Sequence, residues 1–155
     1  MEENVKAIPL KLDLLQFELV AAICEYDPEC TYKKLLKSNL DNTSLGFWVW
    51  DIENDKEYYS PKIREVLGYK DRRDFPDIPE SWQKAIAPED LVKAINNFNE
   101  HVKTKAEQGY TQEVTYNTKQ GKKIKLICHG KVLSWDGDKP LVMIGVHLPI
   151  PKQIN

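Results

Sequence analysis

The sequence predicts an α+β domain built on one five-stranded antiparallel sheet, with helices packed on it and an amphipathic helix in front. Three observations carry this. Apolar residues keep helical spacing from Leu10 to Tyr26, switch to strand-like runs at Phe47, return to helical spacing between Ser60 and Gly109, and alternate again up to Leu148. Turn-forming Gly, Pro, Asn and Asp residues punctuate the strand-like runs. Strands and helices therefore fall in separate blocks, and a sheet so made needs helices to cover it.

Taken in order, Leu12, Leu15, Leu19, Ala22 and Ile23 draw an apolar stripe along the first helix, which Asp27-Pro28 stops. A shorter helix is expected from about Thr31 to Leu40. Phe47 to Ile52 and Lys56 to Tyr59 then form a hairpin around Glu53-Asn54-Asp55. Ser60-Pro61 starts a short helix, with the serine placed to cap free amides, and Gly68 stops it. Asp71 to Pro79 reads as a loop before a helical turn around Ser81 to Ala85. Pro88-Glu89-Asp90 opens a longer helix that ends by Gly109, with Leu91, Ala94, Ile95, Phe98 and Val102 on one face. Tyr110, Gln112, Val114 and Tyr116 alternate along the third strand, and Gln120-Gly121 turns the chain. Ile124, Leu126 and Cys128 alternate along the fourth, Asp136-Gly137 turns again, and the apolar run Leu141 to Leu148 is expected mid-sheet, covered on both faces. The boundaries this implies are a helical extension over 1–43, the sheet domain over 44–149 and a tail over 150–155.

At 155 residues the chain fits one domain, and 41% apolar with 30% charged residues is globular usage. A net charge of −2 with dispersed lysines argues against nucleic-acid binding. The run Leu14 to Cys24 holds Gln16 and Glu18 and is too short to span a bilayer, and no signal-peptide pattern opens the sequence, so a cytoplasmic protein without membrane contact is expected. Cys24, Cys30 and Cys128 show no zinc spacing and read as reduced thiols.

The stretch GFWVWDIENDKEYYSPKIREVLGY (Gly46 to Tyr69), then Trp82, Ile86 and Pro88-Glu89-Asp90, then the hairpin Gly109 to Gly130 and the last hairpin from Asp136 through Gly145, resemble the PAS family. The resemblance covers about Ser44 to Leu148 and is to the subgroup that forms input domains of bacterial sensor histidine kinases and diguanylate cyclases. It implies a sensory module that binds a small ligand or a protein partner and signals by conformational change, with a kinase or cyclase as output and no catalysis of its own. Three substitutions and one longer segment depart from the family pattern. Ala87 replaces a histidine, Gln120 an aspartate and Lys125 a tryptophan, and His147-Leu148-Pro149 stands where relatives carry an aspartate, isoleucine, threonine motif.

Trp50, Trp82, Phe98, Tyr116, Cys128 and Met143 fall on faces expected to look inward and are the candidate pocket residues, whether the aromatic cluster encloses a cavity or simply fills a core. No cofactor is expected. His101, near the end of the long helix, is read as a lone exposed histidine rather than a haem ligand, and the asparagine, cysteine, arginine segment of flavin photoreceptors is missing. Cys128 and His129 point to opposite faces of a strand and cannot form a dyad, so Cys128 reads as a buried small hydrophobe and His129 as surface. The histidines show no metal-ligand spacing. The stripe Leu12, Leu15, Leu19, Ala22 and Ile23 lies outside the resembling segment and is the expected interface of a homodimer. A ligand-free dimerisation scaffold and a small α+β enzyme are the rival readings.

Overall fold

The structure is a computed structural model and describes residues 44–150. The two amino-terminal helices expected from the sequence, the stripe Leu12, Leu15, Leu19, Ala22 and Ile23, and Cys24 and Cys30 lie outside the described residues.

The chain runs β1 (Phe47–Asp51), β2 (Lys56–Tyr59), α1 (Pro61–Leu67), α2 (Pro79–Ala85), α3 (Pro88–Lys103), β3 (Tyr110–Asn117), β4 (Lys123–Asp136) and β5 (Lys139–Pro149). All three helices of the described residues begin with proline in the first turn, where its missing N–H costs no hydrogen bond and its fixed φ suits the helix. Gly68 ends α1 at φ 86°, and a Cβ there would also meet the Gln120 side chain from the β3–β4 turn. Ser60 does not cap α1 with its side chain. Its hydroxyl instead accepts a hydrogen bond from the Phe47 N–H at 3.0 Å, which ties the start of the helix to β1.

The strands form one antiparallel sheet in the order β2-β1-β5-β4-β3. β5 is central, paired with β1 and β4, as its nearly unbroken apolar run leads one to expect. Successive residues alternate between two apolar clusters. Trp48 on β1, Tyr59 on β2, Met143 on β5 and Cys128 on β4 join Ile63, Leu67, Phe75, Ile86 and Ala94 in the cluster beneath the helices. Phe47, Val49, Ile144, Val146 and Leu148 form a second cluster from the alternate positions, and all five are buried. The sheet thus has two apolar faces.

Two details define α3. α3 stops at Lys103, because Lys105 and Ala106 adopt left-handed φ values of 55° and 69° and turn the chain toward β3. Ile95 is 50% exposed and Val92 58%, so the buried side of α3 is narrower than its apolar spacing suggests and rests on Ala94 with partial cover from Leu91 and Phe98.

The loop between α1 and α2 is held by Arg64, a buried residue of α1. Its Nε and Nη2 donate to the Phe75 carbonyl at 3.1 and 2.9 Å, and its Nη1 donates to the Tyr59 carbonyl at 2.9 Å. Nη2 also pairs with Asp77, which Arg72 engages from the other side at 2.8 Å. This fork fixes Phe75 against Tyr59, with ring centroids 4.8 Å apart.

Candidate functional site

Between the inner face of the sheet and helices α2 and α3 lies an apolar cavity of about 100 Å³. All six candidate residues, Trp50, Trp82, Phe98, Tyr116, Cys128 and Met143, line it. Strand alternation explains the convergence: Trp50, Met143, Cys128 and Tyr116 come from four different strands, and Trp82 and Phe98 reach down from α2 and α3. The Trp50 and Phe98 rings meet at 5.1 Å. Gln83 and Ile95 also line the cavity and are exposed, so its rim lies between α2 and α3.

Trp48 forms part of the floor. Its ring lies against Gly145, where an added Cβ would come within 2.0 Å of the indole, and close to Gly130, where the figure is 3.2 Å. Two glycines on adjacent strands therefore leave room for a large ring to lie across the sheet.

The sequence reading missed the polar residues of the cavity, of which Glu57 matters most. It is only 4% exposed, and its Oε1 has no hydrogen-bond partner. Burial pushes its carboxyl well above the usual carboxylate range; a hydrogen bond from the Trp82 side chain opposes this, and the acidic neighbours Asp55 and Asp77 add to it. Trp50, directly opposite Glu57 in the β1–β2 register, has a buried indole N–H that is also unpaired. Leaving such groups unmet costs about 1–3 kcal/mol each.

His147 and Cys128 face each other across β5 and β4. Burial pulls the imidazole of His147 down to about 3, and the Tyr116 ring lies 5.4 Å away. Burial raises the Cys128 thiol to about 12, despite a hydrogen bond from the Trp48 side chain. Both groups are neutral near pH 7, which is the reverse of a thiolate and imidazolium pair. Glu57 is remote from His147: it pairs through Trp50 with Met143, and His147 lies four residues further along β5. Two strand spacings of about 4.8 Å and a run of roughly 13 Å separate the two positions, too far for a shared proton.

His101 is not an exposed histidine. It is 1% exposed, its Nδ1 bonds the Gln108 carbonyl at 2.7 Å, and its Nε2 accepts the Val132 N–H at 3.1 Å. Both ring nitrogens are committed to the backbone, so the residue pins the end of α3 to β4 and does not fit a haem iron. His129 meets Thr111 Oγ1 at 2.6 Å at the exposed side of the β3–β4 pair. Among the described residues no cluster of three or more His, Cys, Asp or Glu could hold a metal ion, and no helix is long and apolar enough to cross a membrane.

The sequence model of the PAS fold family matches residues 56–147, more than half of the chain. No curated protein matches the sequence. Several solved structures share the fold. A sensory box histidine kinase/response regulator from Burkholderia thailandensis is similar at a TM-score of 0.60 and 21% identity, over 77% of this chain and 84% of that one. The N-terminal domain of a diguanylate cyclase with PAS/PAC sensor from Marinobacter aquaeolei is similar at a TM-score of 0.56 and 16% identity, over 67% and 93%. A light-oxygen-voltage domain studied with a flavin analogue is similar at a TM-score of 0.55 and 13% identity, over 79% and 85%. The residues here do not fit a flavin. A cavity of about 100 Å³ is smaller than the roughly 150 Å³ that holds one benzene ring.

Proposed function

This chain belongs to the PAS fold family, and from that premise we propose that it is a sensory module whose cavity takes up a small molecule and whose sheet passes the change on. The observation that carries this reading is the cavity itself. It is lined by aromatic and apolar side chains with a few polar groups, two of which, Glu57 and Trp50, present atoms that nothing in the described protein satisfies.

The relay we infer runs through the sheet. Trp48 and Trp50 line the cavity, while Phe47 and Val49, their neighbours on β1, belong to the second apolar cluster. β5 is built the same way, with Met143 and His147 facing the cavity and Ile144, Val146 and Leu148 on the other side. A ligand that repositions the inner residues moves the same backbone that packs the outer cluster. It acts only to the extent that it binds one of the two arrangements more tightly. Pro149 at the end of β5 opposes a helix starting directly from that strand, which favours the outer face as the route to a partner.

The partner we assign to that face is a second copy of the chain, joined through the stripe Leu12, Leu15, Leu19, Ala22 and Ile23, with a kinase or cyclase as output. No covalent step is assigned to the chain, and its expected place is the cytoplasm. Xenon tests the cavity. Under pressure it should shift the NMR methyl signal of Met143 first and those of Ile144 and Val146 with it. Unchanged Met143 under xenon rejects the cavity as a binding site, and a response confined to Met143 rejects the relay.

A further inference from the structure

The chemistry of the ligand is written in the two unpaired atoms. Glu57 is a carboxyl enclosed by Trp82, Trp50 and other apolar lining, with no cation assigned to it. The charged groups that act on it are Asp55 and Asp77, both acidic. The remaining titratable groups in its field are Tyr59, Tyr110, Tyr116 and Cys128, all buried and neutral. Arg64, which acts on the neighbouring Tyr59, is committed to Asp77 and to the carbonyls of Phe75 and Tyr59. A glutamine would fill the same volume without the penalty of a buried acid, and a water molecule would satisfy the oxygen but supply no countercharge. Burial favours the neutral acid while the cavity is empty, and a cation entering beside it would draw out the carboxylate, the proton passing to solvent. Aromatic walls are favourable for such a charge, because the negative face of a ring attracts cations. The second unpaired atom, Trp50 Nε1, can only donate, and it belongs to the residue directly opposite Glu57 on the neighbouring strand. Groups placed that way on one face have Cβ atoms about 5 Å apart. They can be met together by one small molecule that carries an ammonium and, one or two carbons away, an oxygen acceptor.

We propose that the cavity binds a small amino alcohol or similar oxygen-bearing amine as its ammonium ion, with the ammonium held by Glu57 and the oxygen held by the Trp50 indole N–H. This rests on the reading of the cavity as a ligand site. A cavity of about 100 Å³ limits the ligand to an aliphatic amine smaller than a benzene ring.

The test is a titration of the full chain at pH 7 with 1-amino-2-propanol, with its isostere 1,2-propanediol, and with xenon, followed by NMR of the indole N–H and methyl signals. The amino alcohol is expected to bind at least about tenfold more tightly than the diol, since a charge-assisted hydrogen bond is roughly twice as strong as a neutral one. Glu57→Gln should erase that preference and leave xenon binding unchanged. It should also leave the protein at least as stable as before, an outcome that a purely structural role for the carboxyl would not produce. Trp50→Phe should weaken the amine and the diol alike. Equal affinity for amine and diol in the unmodified protein overturns the proposal, as does a preference that survives Glu57→Gln. Should Glu57→Gln fail to fold, the affinity ratio in the unmodified protein decides alone. Xenon binding with both organic probes silent rejects the amine assignment and leaves the cavity standing. Silence of all three rejects the cavity as a ligand site and the proposal with it.

Discussion

Gly145→Ala is the most direct perturbation of the cavity floor. Gly145 is not in the left-handed region of φ, so alanine meets no backbone strain there, and the effect must come from packing. The new methyl would lie 2.0 and 2.2 Å from two indole carbons of Trp48, against an ordinary contact of about 3.4 Å or more, so the ring must move by more than an ångström. Trp48 is 7% exposed, so it has little space to move into except the cavity. Overpacking of this kind costs about 1–3 kcal/mol. A cost near 2 kcal/mol, with a urea m-value of about 2 kcal/mol/M, lowers the urea midpoint by roughly 1 M. Gly130→Ala is the internal control, because its nearest contacts are 3.0 Å to the end of the Met143 side chain and 3.1 Å to the Ile144 carbonyl. It should cost less than half as much. Tryptophan fluorescence in urea measures both. A midpoint for Gly145→Ala within about 0.25 M of the unmodified protein, or a larger loss for Gly130→Ala, would refute the placement of Trp48 across the two glycines.

Three further outcomes are expected. Because burial holds His147 neutral, with a pKa near 3 against about 6.5 when unfolded, its contribution is present above pH 6.5 and is lost as pH falls toward 3. The contribution of His147 at pH 4.5 should be about 2–3 kcal/mol below its contribution at pH 7, with His101, also shifted down by burial, adding in the same direction and Glu57, whose carboxyl burial shifts up, acting against it. His147→Phe should flatten the curve in urea titrations across pH, and an unchanged slope would reject the burial argument. Arg64→Ala removes the donor to three buried or half-buried acceptors and should cost about 3–5 kcal/mol, while Arg64→Lys should recover less than half, since an ammonium cannot copy the planar fork; calorimetry decides, and full rescue by lysine would show that charge alone matters. Leu19→Glu should convert a dimer to a monomer in light scattering, and a monomer mass for the unmodified chain at high concentration rules the dimer out.

The elements were legible where local chemistry decides them. The β1–β2 hairpin, the proline starts of the helices and the central place of β5 all follow from period, turn residues and apolar runs. The misreadings are residues whose partners are distant in sequence. Ser60 looks like a cap, but its hydroxyl serves Phe47, thirteen positions away. His101 looks exposed on a helix end, but its Nε2 meets Val132, thirty-one positions away. Ile95 fits the apolar spacing of α3 and yet sits at the cavity rim, half exposed. Glu57 is the instructive case. Alternation with Tyr59 puts it on the inner face, so its direction was readable from period two, but a glutamate in a hairpin reads by default as solvated. His147 was readable in the same way from Met143, four residues earlier on β5.

The cross-strand pair Cys128 and His147 is the strongest argument available to an enzyme reading, and its surroundings argue the other way. A nucleophilic cysteine needs a neighbour that stabilises the thiolate, such as an imidazolium or a helix N-terminus. Here the imidazole is too buried to carry the charge near neutral pH, and the sulfur is served only by an indole N–H. Glu57 cannot act as the base for either, being two strands from His147 and three from Cys128, and four residues further along the sheet. Burial favours the neutral form of all three groups, thiol, imidazole and carboxyl. On the proposed reading an ammonium ligand is what would draw the carboxyl into its charged form, and that dependence on the charge of the ligand is what the titration measures.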